Sequence, residues 1–150
     1  MTAVYEKPGV RFLYPENWEL DNCDEESWPW SVSVHSPDGA FWAITVAESL
    51  PFDLEKMTDE TLDAVREEFS ESFFEHDPAS EEINGQTAHG YDINFFYLDF
   101  LIQAKLRSFS LGPSGCVVLY QAEQRDFDRL ERVFQAITAS LFQTDFNVED

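Results

Sequence analysis

The sequence predicts a single α/β domain of the α+β type, in which a mostly antiparallel sheet is sandwiched between two helices. Two segments, 58–73 and 127–142, have the apolar periodicity of amphipathic helices. The run from Tyr91 to Ile102 is nearly all apolar, which is typical of a sheet covered on both faces. Because 150 residues is an ordinary domain size, we expect one domain over 1–150 with an ordered core from about 10 to 142.

The first half of the chain predicts a strand, a turn, a hairpin and a helix. Residues 10–14 form the strand, and Pro15 ends it because proline cannot donate to a sheet ladder. Apolar and polar residues alternate over 30–46 around Ser36-Pro37-Asp38-Gly39, which predicts a hairpin. Thr58 is predicted to cap the helix 58–73, whose buried stripe comprises Leu62, Val65, Phe69 and Phe73.

The second half predicts a polar break, three strands and a helix. The break covers 76–86, and the apolar run after it is expected to reverse near Asp99 into a strand over 101–111. Gly112-Pro113-Ser114-Gly115 predicts a turn, followed by a strand over 116–120. Asp126 is predicted to cap the last helix, which buries Phe127, Leu130, Val133, Phe134, Ile137 and Leu141.

The charge excludes whole classes of partner. The formal net charge is -21, from 30 acidic and 9 basic side chains, and such a field repels phosphate backbones and anionic lipid headgroups. We therefore expect neither nucleic acid nor membrane binding. The sequence has no signal-peptide pattern and no apolar stretch approaching ~18 residues, so a cytoplasmic location is expected.

Two segments carry a resemblance to a known family. Gly9-Val10-Arg11-Phe12-Leu13-Tyr14-Pro15-Glu16-Asn17-Trp18 resembles the strand, Tyr-Pro, x-x-Trp start of PsbP-like domains. The final helix, from Phe127 through Ala139-Ser140-Leu141-Phe142, is similar to that superfamily's terminal helix. The resemblance implies the PsbP-like fold over about 10–142. It implies no single function, since such domains include photosystem II extrinsic subunits, a Ran-binding nuclear import factor, the DcrB lipoproteins and bacterial secretion-effector chaperones.

No catalytic residue, metal ligand or cofactor is predicted. The three histidines, His35, His76 and His89, show no metal-binding spacing, so a metal site would require the fold to assemble it. Cys23 and Cys116 form no CxxC motif and are read as free thiols.

The remaining candidates are large aromatic residues around the predicted hairpin, beside the acidic segment 21–26. Trp28, Trp30, Phe41 and Trp42 could anchor a protein partner, or they could simply pack in the core. Our hypothesis is a noncatalytic protein-binding or adaptor module with an acidic surface and an unidentified protein partner. The alternative is an enzyme or metal-dependent protein whose site converges from distant His, Asp and Glu residues.

Overall fold

The computed structural model describes residues 2–7, 10–23, 30–47, 53–68 and 74–143. These residues form, in chain order, β1 (Thr2–Lys7), β2 (Val10–Pro15), β3 (Glu19–Cys23), β4 (Trp30–His35), β5 (Phe41–Ala47), α1 (Leu54–Glu68), β6 (Phe74–Ile83), β7 (Gln86–Tyr97), β8 (Phe100–Leu111), β9 (Ser114–Glu123) and α2 (Gln124–Ser140). β1 pairs with β2, and the other seven strands form one sheet in the order β3-β4-β5-β9-β8-β7-β6. All these pairings are antiparallel.

The larger core lies on the sheet face that α2 and the β1–β2 pair cover. Phe12 of β2 packs against Trp42 with ring centroids 4.8 Å apart, and Trp18 meets Phe134 of α2 edge-on at 6.0 Å. The backbone N–H of Leu13 donates to Ser140 Oγ at 2.8 Å, which ties β2 to the end of α2. Burial of these rings supplies much of the hydrophobic stabilisation on this face.

The smaller core lies on the opposite face, beneath α1. Leu62 and Val65 of α1 contact a buried sheet surface formed by Ile93, Phe95, Ala104, Leu106 and Val117. Because successive side chains of a strand point to opposite faces, Val117 joins this core while Val118 joins the larger one. The predicted sandwich of a sheet between two helices is therefore confirmed. Neither α1 nor α2, the helices of the described residues, is long and apolar enough to span a membrane.

The predicted hairpins are confirmed where turn chemistry was clear. β4 and β5 enclose the Ser36–Gly39 turn, in which Gly39 adopts a φ of 97° that other residues rarely take. Trp42, Ile44 and Val46 share one buried face as predicted. The chain also reverses at Leu98 and Asp99, as predicted without any glycine or proline to mark it.

Both predicted helix starts are wrong. α1 begins at Leu54, and Asp53 Oδ1 accepts a hydrogen bond from the Lys56 N–H at 3.2 Å, as an N-cap does. Thr58 lies inside the helix, where its hydroxyl donates to the Leu54 carbonyl at 2.6 Å. α2 begins at Gln124, so Asp126 lies in its first turn rather than at its cap. Phe69 and Phe73 lie outside the described residues.

Three strands were not predicted, namely β1, β3 and β6. The sequence predicts a polar break over 76–86, yet Phe74–Ile83 forms β6 at one edge of the sheet. The exposed positions of β6 are mostly polar or charged: Glu75, Asp77, Pro78, Ser80 and Glu82. β1 extends the ordered structure before residue 10, where the core was expected to begin.

Candidate functional site

The structure separates the aromatic residues that were predicted to form a docking surface. Trp42 is completely buried, and its indole N–H donates to Thr138 Oγ1 at 2.9 Å. Trp42 therefore offers no surface to a partner, and its prediction as a docking residue is wrong. Phe41 points to the opposite face of β5, where it is half-buried against the ring of His35 at 5.5 Å. Trp28 and the side chain of Trp30 lie outside the described residues.

A different apolar surface is exposed at the tip of the β7–β8 hairpin, residues 96–100. Leu98 is 75% exposed and Tyr97 is 52% exposed, while Phe96 and Phe100 are also exposed. Phe95 lies in the core beneath α1, so strand alternation puts Tyr97 on that face and Phe96 on the opposite one. The tip is therefore apolar on both faces of the sheet.

The backbone at the tip is strained. Leu98 has a φ of 57°, and two-residue hairpin turns usually place glycine or asparagine at such a position. For a side chain branched like leucine, this left-handed conformation costs about 1–2 kcal/mol. Leu98, the most exposed apolar residue of the tip, thus also carries its backbone strain, a combination found at ligand-contacting sites.

Carboxylates surround the hairpin tip. Asp99 lies in the turn itself. On the neighbouring strands, Glu75 is the register partner of Asn94, and Glu123 is the partner of Ile102. Arg125 pairs with Glu123 at 2.9 Å, which neutralises one of these three charges. The tip is consequently an apolar surface with a negatively charged rim.

The three histidines lie in separate places. His35 Nε2 hydrogen-bonds Ser33 Oγ at 2.9 Å, and His76 Nδ1 accepts from the Arg66 guanidinium at 3.0 Å. His89 lines a cavity of about 440 Å³ between the start of α1 and strands β6–β8. In the described segments, no three His, Cys, Asp or Glu side chains are grouped closely enough to hold a metal ion.

The cavity beside α1 also contains a tyrosine and carboxylate pair. The Tyr91 hydroxyl donates to Asp59 Oδ1 at 2.9 Å. This hydrogen bond, together with burial and the charges of Asp59, Glu55 and Asp63, raises the pKa of Tyr91. Tyr91 therefore stays protonated at neutral pH and acts there as a hydrogen-bond donor.

The exposed hairpin tip differs from the sequence prediction, in which the whole run 91–102 is covered on both faces. That interpretation holds for Ile93 and Phe95, which are fully buried, and is wrong for 96–100. The sequence feature that could have indicated this exposed tip is the reversal near Asp99, because side chains that flank a hairpin turn project beyond the neighbouring strands. An apolar reversal therefore indicates an exposed apolar surface.

Neither a family model nor a curated protein matches the sequence. Among solved structures, cyanobacterial PsbP (CyanoP) from Synechocystis sp. PCC 6803 is similar, with a TM-score of 0.60, 13% identity, and coverage of 93% of this chain and 90% of that one. LpqN, involved in cell envelope biogenesis of Mycobacterium tuberculosis, has a TM-score of 0.52, 13% identity, and coverage of 92% and 87%. PA94, a protein of unknown function from Pseudomonas aeruginosa, has a TM-score of 0.51, 10% identity, and coverage of 93% and 95%. The resemblance read from the two ends of the sequence is thus confirmed at the level of the fold, and the chain has a PsbP-like fold.

Proposed function

We infer that this protein is a noncatalytic protein-binding module that docks through the β7–β8 hairpin tip. The observation that carries this proposal is the grouping of Phe96, Tyr97, Leu98 and Phe100 as exposed side chains on one protruding turn. Aromatic and aliphatic anchors of this kind supply most of the binding energy in protein interfaces. Phe96 and Tyr97 also interact with other residues of the chain.

The negative charges around the hairpin tip indicate the kind of protein surface that would bind it. The negative rim and a net charge of -21 favour a protein surface with an apolar pocket surrounded by Lys and Arg side chains. Attraction between opposite charges would speed the encounter, and burial of the apolar tip would hold the complex. Trp28 and Trp30 remain a proposal for a second contact with the same partner.

The test compares a tip variant with a matched surface variant. In the double variant Leu98→Asn/Phe100→Thr, asparagine tolerates the left-handed backbone and threonine suits a strand. The control is Val4→Thr, which changes an apolar side chain that is 48% exposed on β1, away from the tip. The partner is first identified by cross-linking and mass spectrometry in the native cell, and its affinity for each variant is then measured.

We expect the tip variant to bind the partner about 30-fold more weakly, as for the loss of a 2 kcal/mol anchor. The control should bind as the wild type does. Equal affinity of the tip variant and the control would refute the proposal. So would tip-dependent flotation with phosphatidylcholine vesicles, which would identify a lipid anchor, or tip-dependent dimerisation in sedimentation experiments.

A further inference from the structure

A second cavity, of about 320 Å³, lies on the other side of the sheet from the α1 cavity. It opens between the C-terminal half of α2 and strands β6, β8 and β9, far along the sheet from the hairpin tip. Its size is at the lower end of small-molecule sites. The apolar part of its wall is formed by Ile83, Val118, Ala139 and Phe142, and the polar part includes Arg107, Tyr120 and Thr138.

Tyr120 is the buried polar side chain of this cavity that lacks a protein hydrogen-bond partner among the described residues; Asn84 and Gln135, which also line it, are exposed. Its side chain is only 4% exposed, and its ring is held between Phe127 and Phe134 with centroids 6.2 Å and 4.8 Å away. No hydrogen bond joins its hydroxyl to any residue in the described part of the chain. Because Tyr120 lines the cavity, its hydroxyl is free to bond a molecule that enters it. Burial raises its pKa, which keeps the hydroxyl protonated and able to donate.

The other two buried polar side chains of the wall, those of Thr138 and Arg107, are already engaged. Thr138 Oγ1 accepts from Trp42 and donates to the Phe134 carbonyl. Arg107 Nε donates to Glu81 at 2.7 Å, and its Nη2 donates to Asp92 at 2.9 Å. The remaining guanidinium nitrogen donates to two backbone carbonyl oxygens, those of Tyr91 and Leu106. Arg107 therefore serves as a fixed part of the wall and has little capacity to capture an added anion.

The charges near Tyr120 disfavour an anionic ligand. Glu81, Asp92 and Glu131 act on it as negative charges, and Arg107 acts as a positive one. Lys105 pairs with Glu131 at 2.7 Å, so three carboxylates face two cations. With apolar walls, cations that are already paired, and hydroxyl and amide groups as its available donors, the site suits an uncharged molecule. We propose that this cavity binds a small uncharged amphipathic molecule, with its apolar body against Ile83, Val118 and Phe142 and a hydrogen-bond acceptor on the Tyr120 hydroxyl.

Three probes with the same ring and different charges test the proposal. Benzamide, benzylamine and benzoate are each titrated into the isotopically labelled full chain, and backbone amide shifts are followed by NMR. We expect benzamide to give saturable shifts at cavity residues such as Val118 and Ala139. Benzoate should give none, because the carboxylates repel it. Saturable binding of benzoate or of benzylamine tighter than that of benzamide would overturn the proposal, as would the absence of saturable benzamide binding.

Variants then locate the site. Tyr120→Phe should weaken benzamide binding about 5-fold, as for one hydrogen bond, and leave the fold intact because the hydroxyl has no protein partner. Ala139→Trp places a large ring at the cavity wall and should abolish binding. Ala136→Trp puts the same ring on an exposed α2 position that does not line the cavity, and should preserve binding. Unchanged binding in Ala139→Trp, or unchanged affinity in a folded Tyr120→Phe, would overturn the proposal.

Discussion

Gly90→Ala adds a single methyl group to the sheet, and we expect it to destabilise the folded state more than any other addition of one methyl group there. Gly90 lies in β7, opposite Arg107 of β8. A Cβ at this position would lie 1.6 Å from the Leu106 carbonyl oxygen and 2.6 Å from its carbon. Ordinary non-bonded carbon contacts are ~3.5–4.0 Å, so the two backbones would have to separate.

The expected cost follows from that separation. Overpacking a core costs about 1–3 kcal/mol, and each ladder hydrogen bond that breaks adds about 1 kcal/mol. With two such bonds weakened, the free energy of unfolding should fall by about 3–5 kcal/mol. This loss is a large fraction of the 5–15 kcal/mol typical of a domain, and it corresponds to a melting temperature lower by roughly 6–20 °C.

Urea unfolding followed by circular dichroism measures this cost. The control is Gly39→Ala, where a Cβ would meet nothing within 4 Å and only the positive φ opposes alanine. That change should cost about 1–2 kcal/mol. If Gly90→Ala loses no more stability than Gly39→Ala, the close approach of β7 and β8 is not as described and the reasoning fails.

Two further predictions concern buried side chains. Burial raises the pKa of Cys116 to about 12, so in a Cys23→Ser background its thiol should resist disulfide reagents at pH 8 until the protein unfolds. Because the native state then keeps a proton that the unfolded thiol loses near pH 8.5, stability should fall as pH rises above about 9. Between pH 8 and pH 10 this group should contribute a loss of roughly 2 kcal/mol, a contribution that urea titrations of Cys116→Ala should lack. Trp42→Ala should cost about 3–5 kcal/mol because it opens a cavity beneath α2 and leaves Thr138 without its donor. Unfolding curves of Trp42→Ala that stay within about 0.5 kcal/mol of wild type would mean that the ring is not in the core.

The elements predicted correctly from the sequence are those in which the side-chain periodicity and the flanking turn residues indicate the same structure. The β4–β5 hairpin combined strict alternation with a Pro-Asp-Gly turn, and the core-facing stripe of α2 was regular over its whole length. The start of α1 was missed because Asp53 and Thr58 are both good capping residues, and only the tertiary structure selects between them.

β6 was missed for a different reason. β6 is an edge strand that pairs with β7 alone, and its exposed positions include Glu75, Asp77 and Glu82. A segment with so many charged residues resembles a loop in the sequence. The candidate site was misplaced because composition gives the aromatic content of a segment but not its exposure. Trp42 follows one hairpin turn and Leu98 lies in another. α2 covers Trp42, whereas solvent surrounds Leu98.

The pairing of β5 with β9 also constrains the order in which the protein folds. β6 to β9 form a meander of neighbouring hairpins that can assemble from local contacts. The pairing of β5 with β9, which joins Phe41 to Gln121, instead connects strands that are separated in the sequence by a helix and three strands. During synthesis, β3–β5 therefore emerge long before the strand that completes their sheet, with the apolar face of Val32, Trp42 and Ile44 uncovered. The first hundred residues carry 23 of the 30 acidic side chains and only four basic ones. Mutual repulsion of these charges keeps nascent chains apart until β9 leaves the ribosome.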